Sequence, residues 1–295
     1  MTLPITLSEA QVRHKWASEE LSRRRHEARM ERYLAGDDKR GAAPKRFLDL
    51  HKDPARGRVI CGANRSAKSS FGTVEALWWL LGAHPFRETP KPPVYGRIIV
   101  PDLPLSNDDP HAQRDLMREW VPTHELRGST WENAYSVRGC TLHFRNGSFV
   151  EFCSSKQDVQ QQAGASHLAF AFFDEEVGRE HYVENIARLD RPSAGWWMTY
   201  APLEREPWIH DQLFTPASKG DLPDVTLITA GMEGNAHNLD ENFLRHMMSS
   251  LSPADLERRV YGRYAAREGL VFDVTVETVD SDQLLKGLQW APAEP

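Results

Sequence analysis

The chain has 295 residues, of which 40% are hydrophobic, and this is enough for one large globular domain with small appendages. The net charge of -6 and the pI near 6.1 exclude a protein that coats nucleic acid through a global positive field, so any contact with DNA must be local. The sequence has no run of about 18 apolar residues and no signal-peptide pattern, so we expect a cytoplasmic protein that does not enter a membrane.

The first predicted element is a charged helix over residues 8–35, with a capping box formed by Ser8 and Gln11 and a stop at Gly36. Five arginines between residues 23 and 32 lie among glutamates. A helix with this mixture of charges is typical of a solvated surface, and we prefer that interpretation to a DNA-binding helix. A turn-rich linker follows, so we assign residues 1–43 to an N-terminal helical extension.

From about residue 57 short apolar runs alternate with helical stretches, which predicts an α/β domain with a mainly parallel sheet flanked by helices. The candidate strands are residues 58–61, 96–100, 168–173, 196–200 and 225–229. Residues 140–155 are interpreted as a hairpin, because Asn146-Gly147 favours a two-residue type I′ turn. We expect the paired tryptophans at 78–79 and 196–197 to be core residues rather than a base-stacking surface.

The strongest functional signal is the segment 62–69, which follows the first predicted strand and precedes a predicted helix over residues 70–81. A phosphate-binding P-loop requires this order of strand, loop and helix. In such a loop Lys68 reaches the β and γ phosphate oxygens and the Ser69 hydroxyl binds Mg²⁺, while backbone N–H groups face the phosphates. The predicted nucleotide-binding residues of this segment are Gly62, Ala63, Asn64, Arg65, Ser66, Ala67, Lys68, Ser69 and Ser70.

One position departs from the usual P-loop pattern. Ala67 stands where the second glycine of the loop normally lies. A β-carbon at this position is expected to crowd the phosphates or to shift the backbone. The sequence therefore predicts slow hydrolysis of nucleotide.

A second element supplies the carboxylates that the reaction needs. The apolar run 168–173 ends in Asp174, Glu175 and Glu176. Asp174 at the strand tip is expected to hold Mg²⁺ through water, and Glu175 to polarise a water molecule towards the γ-phosphate. Glu176 is interpreted as a charged neighbour without a catalytic role.

Three segments together resemble the successive motifs of the large terminase subunits of tailed bacteriophages: GANRSAKS at 62–69, FFDEE at 172–176 and MTYAPL at 198–203. Arg65 within the loop and Trp208 after the third motif are also typical of that family. Residues 251–262 and 269–272 are similar to its junction between motor and nuclease. The resemblance covers roughly residues 44–273.

The resemblance implies a P-loop ATPase of the class with an additional catalytic glutamate, with residues 44–268 as its domain and with ATP and Mg²⁺ as ligands. It implies a motor that is a monomer in isolation and forms a ring on the capsid in the host cell cytoplasm. Its implied partners are double-stranded DNA, the portal protein and the terminase small subunit. The implied catalytic residues are Lys68, Glu175, Arg65 and Thr199, with Thr199 in the motif that couples hydrolysis to movement.

The remaining assignments stay open at this stage. Arg188 and Arg138 are the candidates for a trans-acting arginine. Arg46 and Phe47 are candidates for stacking on the adenine, with a core role for Phe47 as the alternative, so the base preference stays open. Residues 269–295 correspond to the start of a nuclease domain, and we expect no complete nuclease in this chain. The alternative functions are another P-loop translocase or helicase, and a nucleotide-binding structural subunit with little hydrolysis.

Overall fold

The computed structural model describes residues 9–103, 112–162, 167–203 and 205–264. The strands are β1 (Gly57–Gly62), β2 (Tyr95–Val100), β3 (Tyr135–Ser136), β4 (Thr141–His143), β5 (Phe149–Ser154), β6 (Phe170–Asp174), β7 (Gly195–Tyr200) and β8 (Val225–Ala230). The α-helices are α1 (Glu9–Leu34), α2 (Lys45–Lys52), α3 (Lys68–Leu81), α4 (Ala112–Trp120), α5 (Trp131–Ala134), α6 (Arg179–Ile186), α7 (Thr215–Lys219), α8 (Glu241–Ser250) and α9 (Pro253–Arg259). A π-helical turn spans Ile209–Phe214, and a 3₁₀ segment spans Met232–Asn238.

The strands form one sheet of eight in the order β3-β4-β5-β2-β6-β7-β1-β8. The six strands from β5 to β8 in this order are parallel, and β3 and β4 add an antiparallel edge. The carboxyl ends of the parallel strands therefore meet at one edge of the sheet, with β7 between β1 and β6. This topology confirms the predicted α/β fold, and ligands of open parallel sheets bind at that edge.

All five predicted strands are present, and their bounds agree within two residues. The hairpin β4–β5 is also present, but the predicted two-residue type I′ turn is wrong. That turn needs a positive φ at both central residues. Gly147 has a φ of 87°, but the φ of Asn146 is not positive. The Asn146 side chain instead donates to the Leu80 carbonyl at 2.8 Å and accepts from the Ser148 N–H at 2.9 Å, which fixes a longer loop.

Close packing holds α3 against the middle of the sheet. A β-carbon added at Gly72 would lie 2.2 Å from the Phe172 ring, so glycine is required where the helix crosses β6. Trp79 lies 5.9 Å from Trp197 between ring centroids. The paired tryptophans are all 5% exposed or less, which confirms the interpretation of both pairs as core. The contact at Gly72 therefore holds the first half of α3 against β6, and the contact at Trp79 holds its last turn against β7.

The predicted N-terminal helix is present as α1, which ends at Leu34, two residues before the left-handed Gly36 with its φ of 63°. Its predicted cap, Ser8, lies outside the described residues. Ion pairs of Glu20 with two arginines agree with the mixed-charge pattern. The solvated interpretation needs one correction, because the end of the helix is docked on the domain. Tyr33 is 3% exposed there and Met30 is 8% exposed. Among the described residues, no helix combines the length and the apolar composition needed to cross a bilayer.

Candidate nucleotide-binding site

The loop between β1 and α3 has the backbone shape of a phosphate cradle. The Ala63 N–H donates to the Ala230 carbonyl at 2.7 Å, and the Ser66 hydroxyl donates to the Ala63 carbonyl at 2.9 Å, so the loop is held at its base and across its turn. Arg65 and Ala67 have φ values of 60° and 69°. Left-handed residues of this kind occur in backbone loops that form anion-binding concavities.

Ala67 shows what the departure from glycine does to this loop. It precedes the first residue of α3 with φ 69° and ψ 16°, a conformation that glycine adopts freely and alanine does not. The backbone has therefore kept the glycine-like shape in spite of the β-carbon. The strain of such a residue is on the order of 1–2 kcal/mol. The expected shift of the backbone is not observed, and the loop carries strain instead.

Asp174 lies at the tip of β6, where it meets the start of α3 and the end of β7. Its Oδ1 accepts from the Ser69 hydroxyl at 3.1 Å and from the Thr199 hydroxyl at 2.8 Å. Burial of the side chain, together with the nearby charge of Glu175, raises the pKa of Asp174 to about 6 against the opposing effect of Thr199 and Lys68. The site therefore holds a carboxylate whose charge the protein alone does not fully stabilise. Ser69 and Asp174 offer the oxygen ligands that Mg²⁺ takes directly or through water.

Lys68 and Glu175 face each other beside this pair. The Lys68 Nζ lies 3.6 Å from the Glu175 Oε1, and Lys68 is 7% exposed whereas Glu175 is 35% exposed. The Glu175 Oε2 accepts from the Ala201 N–H at 3.3 Å, which holds the side chain against the loop after β7. Glu175 has a φ of 89°, and a non-glycine residue in that region is strained. Its carboxylate is thus held next to the lysine.

A cavity of about 510 Å³ extends from the phosphate loop. One side is the loop residues 65–70, and the other is formed by the α1–α2 linker, α4 and the 3₁₀ segment; residues that line it there are Tyr33, Ala43, Pro44, Trp120, Asn235 and Asn238. Neither of the two candidates for stacking on the base, Arg46 and Phe47, lines the cavity. Phe47 is fully buried and packs on Phe71, and the Arg46 guanidinium donates to the Thr229 carbonyl. The core role of Phe47 is the correct one.

The other predicted site residues fall into two groups. Thr199 and Arg65 belong to the site, since Thr199 contacts Asp174 and Arg65 lines the cavity. Arg188 does not, because its carbonyl accepts from the Leu168 N–H, at the start of β6 and therefore at the opposite edge of the sheet. Arg138 is exposed in the β3–β4 turn. Because β4 is antiparallel to β5, that turn lies on the same edge as Asp174.

The sequence-based interpretation missed three residues of the site. Asn235 and Asn238 line the cavity from the 3₁₀ segment, where short polar residues look like an ordinary turn. Gly262 supports the loop from behind: a β-carbon there would lie 2.5 Å from the Ala63 nitrogen. Its carbonyl accepts from the Cys61 thiol at 3.3 Å. Only the positive φ of Gly262, 66°, distinguishes it, and a sequence does not display that angle.

Another cluster has the spacing of a metal site, but its bonding does not fit one. Ligand atoms of His51, Glu75 and His84 lie within 4.8 Å of one another. The His51 ring is bonded on both nitrogens, to Glu75 at 2.6 Å and to the Tyr33 hydroxyl at 2.9 Å. His84 accepts two backbone N–H groups on its other nitrogen. Two guanidinium groups also contact Glu75 and would repel a cation, so the cluster is a structural network.

The fold and the site together define a class. A mainly parallel sheet with a loop between β1 and α3, acids at the end of β6 and β7 between these two strands is the fold of P-loop nucleoside triphosphatases.

Solved structures narrow the fold further. The large terminase of a thermophilic bacteriophage has a TM-score of 0.58 and 16% identity; the match covers 81% of this chain and 57% of that one. The structure of the same protein in complex with ADP has a TM-score of 0.57 and 16% identity, and the match covers the same shares of the two chains. A point mutant of the large terminase ATPase domain of Thermus phage P74-26 gives 0.53 and 16%, covering 74% of this chain and 93% of that one. The sequence matches no protein-family profile and no curated protein. The chain therefore has the fold of large terminase ATPase domains and spans 57% of the length of the first of these structures.

Proposed function

We propose that this protein hydrolyses ATP as the motor domain of a phage DNA-packaging terminase. The observation that carries the enzymatic part is the convergence of Lys68 with Glu175, and of Ser69 with Asp174, at one edge of the sheet. The motor part is supported by the similarity in fold to large terminases and by the three sequence motifs.

Each side chain has a distinct task in this reaction. The Lys68 ammonium binds the β and γ phosphates, and backbone N–H groups of the loop bind the remaining oxygens. Glu175 accepts the proton of the attacking water, with its carboxylate held by the Ala201 N–H. Ser69 and Asp174 would hold Mg²⁺, which neutralises charge on the β and γ phosphates when bound. The Lys68 Nζ lies 3.6 Å from the Glu175 carboxylate, so the lysine that binds the phosphates is adjacent to the group that accepts the proton.

The test separates binding from chemistry. Lys68→Ala should abolish both nucleotide binding and phosphate release, because no other cation in the loop is buried beside the phosphates. Glu175→Gln should retain ATP and Mg²⁺ binding but lower turnover by roughly 10²-fold or more, the scale of a lost general base. Glu176→Gln is the matched control, since the Glu176 carboxylate accepts from the Arg205 N–H outside the site. Unchanged turnover in Lys68→Ala would refute the enzymatic proposal.

The proposed motor acts in a ring, and Arg138 is the better candidate for the arginine that completes a neighbour's site. It is exposed on the edge of the sheet that carries Asp174. Arg188, by contrast, is paired with Glu184 on the opposite edge. A trans-acting arginine stabilises charge on the γ-phosphate and is worth about 10³-fold or more in turnover.

Mixing tests that arrangement directly. Arg138→Ala and Glu175→Gln should each be inactive alone. A mixture of equal amounts should regain activity, because an Arg138→Ala subunit keeps Glu175 and receives Arg138 from a neighbouring Glu175→Gln subunit. Arg188→Ala mixed with Glu175→Gln serves as the control and should add nothing beyond its own activity. No gain for the Arg138→Ala mixture would show that Arg138 does not act in trans.

The proposed partners are double-stranded DNA, the portal protein and the terminase small subunit. Phosphate release should rise when portal protein and double-stranded DNA are added together, whereas a forked duplex should not be unwound. Unwinding of the fork would favour the alternative of a helicase.

A further inference from the structure

Two asparagines connect the phosphate loop to the far wall of the cavity. The Asn235 amide donates to the Arg65 carbonyl in the loop at 2.7 Å, and the Asn238 amide donates to the Asn235 Oδ1 at 2.7 Å. Asn238 also holds the wall, because its Oδ1 accepts from the Gly41 N–H at 2.6 Å and its Nδ2 donates to the Ala42 carbonyl at 2.9 Å. An unbroken series of hydrogen bonds therefore runs from the loop to the α1–α2 linker.

At the loop end, the contact acts on a strained residue. Arg65 has a φ of 60°, and such a conformation persists in a non-glycine residue only where its surroundings hold it. The amide of Asn235, which is 6% exposed, supplies such a contact from outside the loop. Loss of this hydrogen bond would leave the loop less ready to receive phosphates.

At the other end, the contact acts on the part of the cavity that phosphates do not reach. The loop residues occupy one side, so a nucleoside attached to the phosphates must lie between the linker, Trp120 and Leu239. Ala42 and Ala43 in the linker are 2% and 3% exposed. Besides Asn238, the His237 ring contacts the Ala42 carbonyl at 3.0 Å, and the Ala43 N–H donates to the Tyr33 carbonyl at 2.9 Å.

We propose that Asn235 and Asn238 are positioning residues of the nucleotide pocket, Asn235 for the phosphate loop and Asn238 for the wall that receives the nucleoside. The proposal rests on the proposed function, since it assumes a nucleotide in this cavity. It means that filling the nucleoside end of the cavity also orders Arg65 through the asparagine pair, which a ligand without a nucleoside cannot do.

The test compares a ligand that has a nucleoside with one that has none. Calorimetric affinities for ADP and for pyrophosphate, both with Mg²⁺, are measured for the natural protein, Asn235→Ala and Asn238→Ala. Asn235→Ala should weaken the binding of both ligands by about 10-fold. This is the scale expected when one hydrogen bond is lost and a polar group is left unpaired. Asn238→Ala should weaken ADP by about 10-fold and pyrophosphate by less than about 2-fold. In steady-state hydrolysis Asn238→Ala should raise KM and leave kcat unchanged, which a merely structural role would not do.

The controls keep each outcome interpretable. Asn242→Ala, an exposed asparagine on α8, should change neither affinity. Where Asn238→Ala lowers the unfolding midpoint too far to measure binding, Asn238→Asp takes its place, because it keeps the side-chain size and loses the donor to Ala42. Equal losses for ADP and pyrophosphate, or an unchanged ADP affinity, would overturn the role of Asn238. Failure of the natural protein to bind either ligand would instead overturn the proposed function, and this proposal with it.

Discussion

Asp174, which contacts α3, and Glu75, which lies on α3, are both buried carboxylates, but their surroundings are opposite. Burial by itself would raise the pKa of Glu75, yet the charge of Arg58 and the hydrogen bonds from His51 and His84 hold that pKa well below its usual range. Asp174 accepts only two hydroxyl groups among the described residues, and burial beside Glu175 raises its pKa to about 6.

The difference separates a structural carboxylate from the one that we propose to hold Mg²⁺. The charge of Glu75 is satisfied by fixed donors of the protein, so this residue has no need of a further cation. The neighbours of Asp174 stabilise its charge only in part, which is typical of carboxylates at functional sites. The spacing of possible ligands alone would have selected the wrong one of the two.

The largest effect on stability is expected from neutralising Glu75. Glu75→Gln should lower the free energy of unfolding by about 3–5 kcal/mol, because it leaves the buried guanidinium of Arg58 and the partly buried one of Arg87 without their counter-charge. Urea unfolding measures this. Glu132→Gln is the control, since its ion pair with Arg118 is exposed and worth about 1 kcal/mol or less. A loss as small as that of the control would mean that Glu75 does not hold the network together.

A change of the opposite sign is expected at Asp174. Asp174→Asn should raise the free energy of unfolding of the nucleotide-free and Mg²⁺-free protein by about 1–3 kcal/mol at pH 8, while it abolishes Mg²⁺-dependent nucleotide binding. The pKa of Asp174 rises from 3.8 to about 6 on folding, so the natural protein loses stability as the pH rises through this interval. The advantage of the variant should therefore be complete above about pH 7 and vanish near pH 4. Thermal unfolding of the natural protein and of the variant at pH 8 and pH 4 measures this difference. A variant that is less stable than the natural protein at pH 8 would show that the charge of Asp174 does not destabilise the fold.

The smallest effect is expected at the strained start of α3. Ala67→Gly should raise the free energy of unfolding by about 1 kcal/mol or less, because relief of the left-handed alanine is partly offset by the greater freedom of glycine when unfolded. Nucleotide affinity and turnover should also improve. Ala217→Gly in α7 is the control and should be destabilising by about 1 kcal/mol. Equal destabilisation by both substitutions would show that Ala67 is not strained.

The sequence predicts those parts of the molecule that depend on neighbours along the chain. Strands appear as apolar runs, and the P-loop and the acids of β6 are contiguous motifs whose meeting follows from a parallel sheet. The Glu75 network is different, because its donors come from α2, β1 and the residues after α3. No local pattern marks such a set. The predicted type of the turn after β4 was wrong for the same reason, because the carbonyl of Leu80, which is distant in sequence, accepts a hydrogen bond from Asn146 and fixes its position.

Residues 259–262 contact the phosphate loop from behind, and this contact has a consequence for folding during translation. The Asn64 N–H donates to the Arg259 carbonyl at 3.2 Å, and Cys61 and Gly262, which are in contact, lie 201 positions apart. On a ribosome the loop emerges long before the segment that supports it. The nascent chain must therefore keep an unsupported loop until nearly the whole domain has been translated, and closure of so long-range a contact is intrinsically slow. The nucleotide site should be among the last parts of the newborn protein to acquire its native form.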